Sequence, residues 1–264
     1  MNVTIADSHL QELRSIGLIG PEFFTDIDDR DEIYAFLTKH PACKDRPVAA
    51  YFESGRNAFL SLVRVMHDLG RSVSTTNRML EFACGYGRVT RHIVRTLPSS
   101  RLAVSDIVAE AVDFQRATFN VSGFVSHEDP GQCQIPEKYD VIFVASLFSH
   151  LPLTLWHQWL RKLHGALAPD GLLVFSVHGP NCVPSGHAIG EDGFLYFKSS
   201  ESALLDVNIY GTTYVTREFV ERSIVDISGR KSLAVYERGI WNYQDVYVVG
   251  NSSREENRML ATGR

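Results

Sequence analysis

Two closely spaced glycines mark the part of this sequence that could do chemistry. Gly85 and Gly87 flank one residue and follow an apolar run that contains Glu81. Apolar residues then recur at helical spacing from Val89 to Leu97, which predicts a strand, a tight turn and a helix. Glycines in such a turn let the backbone pass close to a ligand, and the helix presents unpaired N–H groups. The pattern predicts a nucleotide-binding turn.

A second acid, Asp106, ends the next apolar run, 19 residues after Gly87. One carboxylate can accept hydrogen bonds from both hydroxyls of a ribose, so Asp106 is a candidate ribose ligand. A dinucleotide fingerprint anchored on Gly85 and Gly87 would need a third glycine at position 90, which Thr90 occupies. An NAD-dependent oxidoreductase is therefore disfavoured and stays an alternative.

Residues 79–87 read Met-Leu-Glu-Phe-Ala-Cys-Gly-Tyr-Gly. This resembles motif I of the class I S-adenosylmethionine-dependent methyltransferases of small-molecule type, with Ala83 in place of the first glycine. We expect Ala83 to be tolerated with φ below zero. Residues 139–152 and 167–179 resemble motifs II and III, the latter with Asp170 in a glycine position and expected in a type I turn.

The resemblance covers about residues 78–250 and implies an α/β, Rossmann-like, doubly wound fold. Its sheet would have seven strands, the last one antiparallel. The cofactor would be S-adenosyl-L-methionine and the acceptor a small molecule methylated on oxygen or nitrogen. Two further alternatives are a catalytically inactive cofactor-binding partner subunit and an enzyme that transfers another group from a related nucleotide, as aminopropyltransferases do.

The resemblance also implies roles for single residues. Asp106 would bind the ribose, Ile107 would lie against the adenine, and Ser146 would border the transferred methyl group. Glu128 or Asp129 would take the adenine amino group. The cofactor-binding residues implied in this way are Glu81, Ala83, Gly85, Gly87, Asp106, Ile107, Glu128, Ser146 and Arg56.

Arg56 stands near the head of an amphipathic helix predicted before motif I. Its guanidinium could hold the methionine carboxylate of the cofactor through two parallel hydrogen bonds. The alternative is a surface ion pair with Glu53.

Two histidines follow central strands of the predicted sheet. An oxygen or nitrogen acceptor needs somewhere for its proton to go, and imidazole titrates near neutral pH. His150 and His178 are therefore the candidate catalytic bases, with a capping and a structural role respectively as alternatives. No H-x-H or H-x-x-x-H pair occurs, so we expect no metal.

The remaining segments must position this site. Residues 1–70 predict an N-terminal helical extension, and residues 71–264 the cofactor-binding domain. Residues 180–215 lack periodicity and predict a substrate lid. This lid and the connection 237–243 would together form the acceptor pocket. Its aromatic side chains would be Tyr196, Tyr210, Trp241 and Tyr243.

The residue composition and net charge restrict the classes of partner that this protein could bind. The 264 residues are 44% hydrophobic with a net charge of −5, which favours a globular protein and argues against nucleic-acid binding. The basic run from Arg88 to Arg95 is interpreted as a solvated helix face, and the acids from Asp26 to Glu32 as a charge cluster at a helix N-terminus rather than a calcium loop.

Four widely spaced cysteines predict no disulfide framework or zinc site. The N-terminal residues do not resemble a signal peptide, and no apolar run is long enough to span a membrane. We expect a cytoplasmic monomer or homodimer with no membrane partner, and a loose tail from Ser252.

Overall fold

The computed structural model describes residues 1–200 and 202–251, so the tail predicted to be loose lies outside the described residues. The strands are β1 Met79–Phe82, β2 Leu102–Asp106, β3 Ser122–Val125, β4 Tyr139–Val144, β5 Leu167–Val177, β6 Phe194–Phe197, β7 Thr212–Val215, β8 Ala234–Ile240 and β9 Gln244–Gly250. The helices are α1 Asp7–Ser15, α2 Glu32–Leu37, α3 Pro47–Asp68, α4 Thr90–Ile93, α5 Ala109–Phe119, α6 Leu153–Gly165 and α7 Arg217–Ser228.

Seven strands form one sheet in the order β3-β2-β1-β4-β5-β9-β8. The first five pair in parallel, while β9 runs antiparallel to both β5 and β8. Strands β1 and β2 are buried along their whole length, as near-continuous apolar runs predict for a sheet covered on both faces. The structure confirms the predicted seven-stranded α/β fold with its last strand antiparallel.

Helices cover both faces of the sheet. Side chains of α3 and the segment after β1 pack on one face, and α6 and α7 pack on the other. The helix predicted after the glycine turn is shorter than expected, because α4 has only one regular turn. Hydrogen-bonded turns continue from it to Leu97, and Pro98 follows.

The basic run after the glycine turn is not a solvated face, which corrects the prediction from its sequence. Arg91 is completely buried. Its Nε donates to the carbonyl of Gly87 at 2.9 Å, and its Nη1 donates to the carbonyls of Phe24 at 2.7 Å and Asp26 at 3.0 Å. Residues before α2 cover this helix, a layer that helical periodicity alone does not reveal. Because Arg91 joins the two segments, a domain boundary at residue 70 stays a prediction.

The segment 180–215 contains regular structure that its sequence did not reveal. Strands β6 and β7 pair as an antiparallel two-stranded sheet. Backbone N–H groups of Gly211 and Thr213 donate to the carbonyls of His150 and Ser149, each at 2.8 Å. The hairpin is thus fastened to the loop that follows β4.

The described part of the chain contains neither a membrane-spanning helix nor a cluster of metal ligands. Within residues 1–200 and 202–251, no helix combines the length and apolar character needed to cross a membrane. No cluster of three or more His, Cys, Asp or Glu side chains in those same ranges could hold a metal ion.

Candidate functional site

A cleft of about 1300 Å³, part of it open to solvent, lies at the carboxyl ends of β1, β2 and β4. We call one side the sheet wall, formed by strand ends and the segments after them between residues 82 and 159. The other side, the cap wall, is formed by Asp31, Glu32, Ile33, Ser202, Leu204, Leu205, Ile209 and Tyr210. Ligands bind at this edge of open α/β sheets, so the cleft is the candidate site.

Asp106 lies at the centre of the sheet wall. Its Oδ2 accepts from the backbone N–H of Gly85 at 2.8 Å, and its Oδ1 accepts from Val108 N–H at 3.0 Å. The residue is 9% exposed, and burial raises the pKa of its carboxyl group. Each oxygen keeps a further lone pair, so the carboxylate suits a vicinal diol. Ile107 and Glu128 also line the cleft, and their contact with the adenine stays a prediction.

The turn after β1 has three residues in the left-handed region: Ala83, Gly85 and Gly87, with φ of 57°, 53° and 82°. The expectation that Ala83 keeps φ below zero is therefore wrong. An alanine there stores about 1–2 kcal/mol of backbone strain, and such strain is concentrated at ligand sites. Asp170 is also left-handed, with φ of 61°, and not in the expected type I turn.

The two glycines of the turn have different surroundings. Gly85 lines the cleft, and a Cβ added to it would meet no atom within 4 Å. A Cβ on Gly87 would lie 2.4 Å from the ring of Phe119, and Gly87 does not line the cleft. The lack of a side chain at Gly87 thus serves packing beneath the turn rather than the ligand contact predicted for it.

Glu81 lies behind the turn, which corrects its assignment as a cofactor ligand. Thr90 Oγ1 is 2.6 Å from both Glu81 Oε2 and Gln115 Oε1. Gln115 Nε2 donates to the carbonyl of Gly85 at 2.7 Å. Burial raises the pKa of Glu81 to about 8. A protonated Glu81 donates to Thr90, whose own hydrogen then goes to Gln115, so all three groups are satisfied and the turn is held from behind.

The cation on the cleft is Arg88 rather than Arg56. Arg56 is exposed, its Nη1 donates to the Gly17 carbonyl at 3.4 Å, and it does not line the cleft. Arg88 lines the cleft, donates from Nη1 to Ser54 Oγ at 3.3 Å, and lies over the Trp241 ring with 4.7 Å from Cζ to the ring centroid. Arg88 was missed because its place in a basic helical run indicated a surface residue.

Neither candidate base lines the cleft. His150 is buried, its Nδ1 lies 2.7 Å from the Gly211 carbonyl oxygen, and its ring stacks on Tyr210 of the cap wall. His178 is also buried, and burial lowers its pKa to about 4. The amide of Gln244 lies between His178 and the cleft residue Ser146. Both imidazoles therefore support the wall from behind, which favours the structural alternatives.

Of the aromatic residues predicted to line the acceptor pocket, only Tyr210 lies on the cleft. Tyr196 donates its hydroxyl hydrogen to the Val207 carbonyl, and Tyr243 packs its exposed side chain near His178. Trp241 donates from Nε1 to the Ser54 carbonyl, on the far side of Arg88. The connection 237–243 does not line the cleft.

Residues at the start of α2 line the part of the cleft that was predicted to be lined by the connection 237–243. Asp31 is 3% exposed, its Oδ1 accepts from the N–H groups of Ile33 and Tyr34, and its Oδ2 accepts from the Tyr51 hydroxyl. Glu32 accepts from Ser202 Oγ and from Ala203 N–H, each at 2.7 Å. The acid run indicated a helix start, but nothing in its sequence indicated a wall of the site.

Comparisons with known proteins agree with this geometry. Residues 80–173 match the family described as "Methyltransferase domain". A malonyl-[acyl-carrier protein] O-methyltransferase of Bacillus cereus is 31% identical over 118 residues, 44% of this chain and 43% of the relative. Nodulation protein S of Rhizobium tropici is 32% identical over 117 residues, 43% of this chain and 48% of the relative. The chain thus spans about half the length of the curated relatives it matches.

Solved structures share the fold at low identity. An S-adenosylmethionine-dependent methyltransferase from Clostridium acetobutylicum has a TM-score of 0.54 at 11% identity, over 74% of this chain and 91% of that one. An O-methyltransferase family protein from Burkholderia thailandensis has a TM-score of 0.53 at 18% identity, over 83% and 64%.

The fold and the cleft define a Rossmann-like nucleotide-binding domain. Within that class, residues 80–173 match a methyltransferase domain, which confirms the resemblance of the motifs to the class I S-adenosylmethionine-dependent methyltransferases. The cofactor of this class is S-adenosylmethionine, as the motifs predicted.

Proposed function

We propose that this chain binds S-adenosylmethionine in the cleft and transfers its methyl group to an oxygen or nitrogen of an acceptor with an aliphatic portion. The observation that carries the proposal is the junction of Asp106 with the glycine turn: a buried carboxylate, held by two backbone N–H groups, beside a turn with three left-handed residues. A diol-binding carboxylate would thus lie next to a stretch of backbone that is open to a ligand, which supports the proposal.

Different residues of the sheet wall would bind different parts of the cofactor. Asp106 holds the ribose hydroxyls, and Ile107 with Glu128 borders the adenine. Arg88 takes the methionine carboxylate, since the residue lines the cleft, is half-buried and belongs to the segment that follows the glycine turn. The sulfonium of the bound cofactor supplies an already activated methyl group, so the chain's task is to orient the acceptor and exclude water.

The acceptor would lie between the sheet wall and the cap wall. Ile33, Leu205 and Ile209 are aliphatic, half-buried and turned to the cleft. They suit an alkyl or acyl portion of the acceptor. Four of the five curated relatives are malonyl-[acyl-carrier protein] O-methyltransferases, which supports an oxygen acceptor.

Calorimetry with S-adenosylmethionine, its demethylated product S-adenosylhomocysteine, and NADH tests the cofactor. We expect micromolar binding of the first two, none of NADH, and a loss of about 1.5–3 kcal/mol of binding free energy in Asp106→Ala. Asp106→Asn is the matched control, because an amide keeps the shape while it loses half of the acceptor capacity. Binding of NADH that depends on Asp106 would contradict the proposal and favour an oxidoreductase.

Transfer of a labelled methyl group to metabolite extracts tests the catalytic part. Labelled product in wild type and its loss in Asp106→Ala would support an enzyme. Cofactor binding without any transfer would instead indicate a partner subunit.

A further inference from the structure

Three buried polar side chains lie behind the glycine turn and hold it by hydrogen bonds. Glu81 is 3% exposed, and Thr90 and Gln115 are completely buried. Thr90 Oγ1 lies 2.6 Å from both Glu81 Oε2 and Gln115 Oε1. Gln115 Nε2 in turn lies 2.7 Å from the carbonyl oxygen of Gly85 and 3.4 Å from that of Cys84. These contacts connect a carboxyl group to the backbone of the glycine turn.

The donors and acceptors in this chain of contacts fix the protonation of Glu81. The amide of Gln115 has one orientation, because its NH₂ group donates to backbone carbonyls and its oxygen therefore faces Thr90. One hydroxyl hydrogen cannot serve two oxygens, so a second hydrogen must lie between Thr90 and Glu81. Only a protonated Glu81 supplies it. Burial raises the pKa of this carboxyl to about 8, which agrees with the count of hydrogens.

Gln115 controls the direction of a backbone N–H at the edge of the cleft. Gly85 and Tyr86 line the cleft, whereas Gln115 does not. In a trans peptide group the N–H lies opposite to the C=O, so a Gly85 carbonyl held by Gln115 directs the Tyr86 N–H the other way. The N–H of Gly85 itself donates to Asp106 Oδ2 at 2.8 Å. The amide of Gln115 thus fixes the backbone beside the candidate ribose ligand.

Loss of the proton from Glu81 changes this arrangement. An ionised carboxylate only accepts, and it accepts more strongly than an amide oxygen, so the Thr90 hydrogen then goes to Glu81. Gln115 Oε1 is left without its donor in a buried place. Other orientations of the Gln115 side chain become favourable, and the Gly85 carbonyl loses the group that held it.

Four ionisable groups surround Glu81. Arg88 and Arg91 favour its ionised form, while Asp106 at the end of β2 opposes it. The fourth group is the thiol of Cys84, whose pKa is raised by burial and by the charges of Asp106 and Glu81. The variant Glu81→Gln retains all four groups, so a comparison of the two proteins isolates the titration of Glu81.

Resting on the proposed function, we propose that Glu81, Thr90 and Gln115 are positioning residues for the glycine turn, and that the cofactor binds tightly only while Glu81 keeps its proton. Below about pH 8 the free and the bound protein both carry the proton, so cofactor affinity stays constant. Above that pH the free protein loses the proton and affinity falls.

Calorimetric titration of S-adenosylhomocysteine at several pH values from 6.5 to 9.5 tests this linkage. Between pH 7 and pH 9 we expect the wild-type affinity to fall about fivefold more than that of Glu81→Gln. The variant is the matched control, because its NH₂ group can donate to Thr90 at every pH and any titration of the ligand affects both proteins equally. At pH 7 the two affinities should agree within twofold. Parallel pH profiles of the two proteins would overturn the proposal.

A second measurement follows the carboxyl group of Glu81 itself. NMR spectra of protein with ¹³C-labelled glutamate carboxyl groups are recorded against pH, and the signal absent from Glu81→Gln belongs to Glu81. We expect this signal to titrate near pH 8 in the free protein and about one pH unit higher in the complex with S-adenosylhomocysteine. A midpoint typical of an exposed glutamate, or a midpoint that binding does not change, would contradict the linkage.

Two substitutions at Thr90 test the connection between Glu81 and Gln115. Thr90→Val keeps the shape of the side chain but removes the hydroxyl, so Gln115 loses its orienting donor at every pH. We expect S-adenosylhomocysteine to bind at least about threefold more weakly at pH 7. Thr90→Ser keeps the hydroxyl and should stay within twofold of wild type. Gln115→Met removes the donor to Gly85 and should show the same loss as Thr90→Val. Unchanged affinity in a folded Thr90→Val or Gln115→Met protein would overturn the positioning role.

The outcomes separate this proposal from the proposed function. Normal binding of S-adenosylhomocysteine with identical pH profiles in wild type and Glu81→Gln would overturn only the role of the three buried side chains. Failure of the wild-type protein to bind S-adenosylhomocysteine at any pH would refute the proposed function itself.

Discussion

The two walls of the cleft are built in different ways. The sheet wall is made of strand ends and the short segments after them, so each residue there is placed by its own strand. The cap wall joins residues 31–33 to residues 202–210, and Glu32 makes the contact through two hydrogen bonds. The sheet wall is a feature of local sequence, whereas the cap wall exists only once the chain has folded. Variants on each side can test this difference.

The largest effect is expected at Arg91, which ties residues before α2 to the glycine turn. Arg91→Met would leave the carbonyls of Phe24, Asp26 and Gly87 without their donor in a buried place. We expect a loss of about 3–5 kcal/mol in the free energy of unfolding, measured with urea. The control is Arg95→Met, an exposed residue on the same run, which should change stability by less than about 1 kcal/mol. Similar losses in both would show that the two segments are not joined through Arg91.

The second largest effect is expected at the two glycines of the turn after β1, of which only Gly85 lines the cleft. Gly87→Ala should destabilise the fold by about 2–4 kcal/mol, because its Cβ would overlap Phe119 at a positive φ. Gly85→Ala, in open space, should cost only about 1 kcal/mol of stability. Thermal unfolding of both variants measures this, and equal losses would contradict the packing role assigned to Gly87.

A smaller effect depends on pH and concerns Glu81. Its pKa is raised by burial from 4.5 to about 8, so above pH 4.5 the unfolded chain releases a proton that the folded chain retains. Stability therefore falls as pH rises through this window, by at most about 1.4 kcal/mol per unit, and levels off above pH 8.

Glu81→Gln removes this titration while its NH₂ group can still donate to Thr90. We expect the variant to gain roughly 1–3 kcal/mol relative to wild type at pH 7 and little at pH 4.5. Urea unfolding at several pH values measures the difference. A stability difference that does not change between pH 4.5 and 8 would show that Glu81 is ionised in the fold.

The smallest effect is expected on the cap wall. Glu32→Gln leaves one oxygen to accept from Ser202 or Ala203, so stability should change by less than about 1 kcal/mol. The affinity for S-adenosylhomocysteine should stay within twofold, because the proposed cofactor contacts all lie on the sheet wall. Glu22→Gln, at an exposed acid of the N-terminal segment that does not line the cleft, is the control. A loss of cofactor affinity instead would mean that the cap wall contacts the cofactor.

Most of the sheet could be predicted from the sequence, because its strands are apolar runs bounded by turn residues. Asp106 and Gly85 were identified as candidates from spacing alone, and the structure brings them within 2.8 Å. Glu81 was named as a ligand and lies behind the turn, since a sequence does not say which side of a strand end faces the cleft. Arg56 was predicted as the cation of the cleft in place of Arg88 for a similar reason, because helical spacing shows a polar face but not which segment covers it.

The sequence by itself determined the apolar strands and the glycine turn with its carboxylate, because these depend on hydrophobic periodicity and on residues close together in the chain. The antiparallel last strand was implied only by the resemblance of the motifs to a known family. Only the tertiary structure decided that Arg91 is buried, that His150 and His178 support the wall from behind, and that residues 31–33 meet residues 202–210 across the cleft. Those contacts join segments 60 or more residues apart, and no local pattern records which distant backbone carbonyl or carboxylate will complete a hydrogen bond.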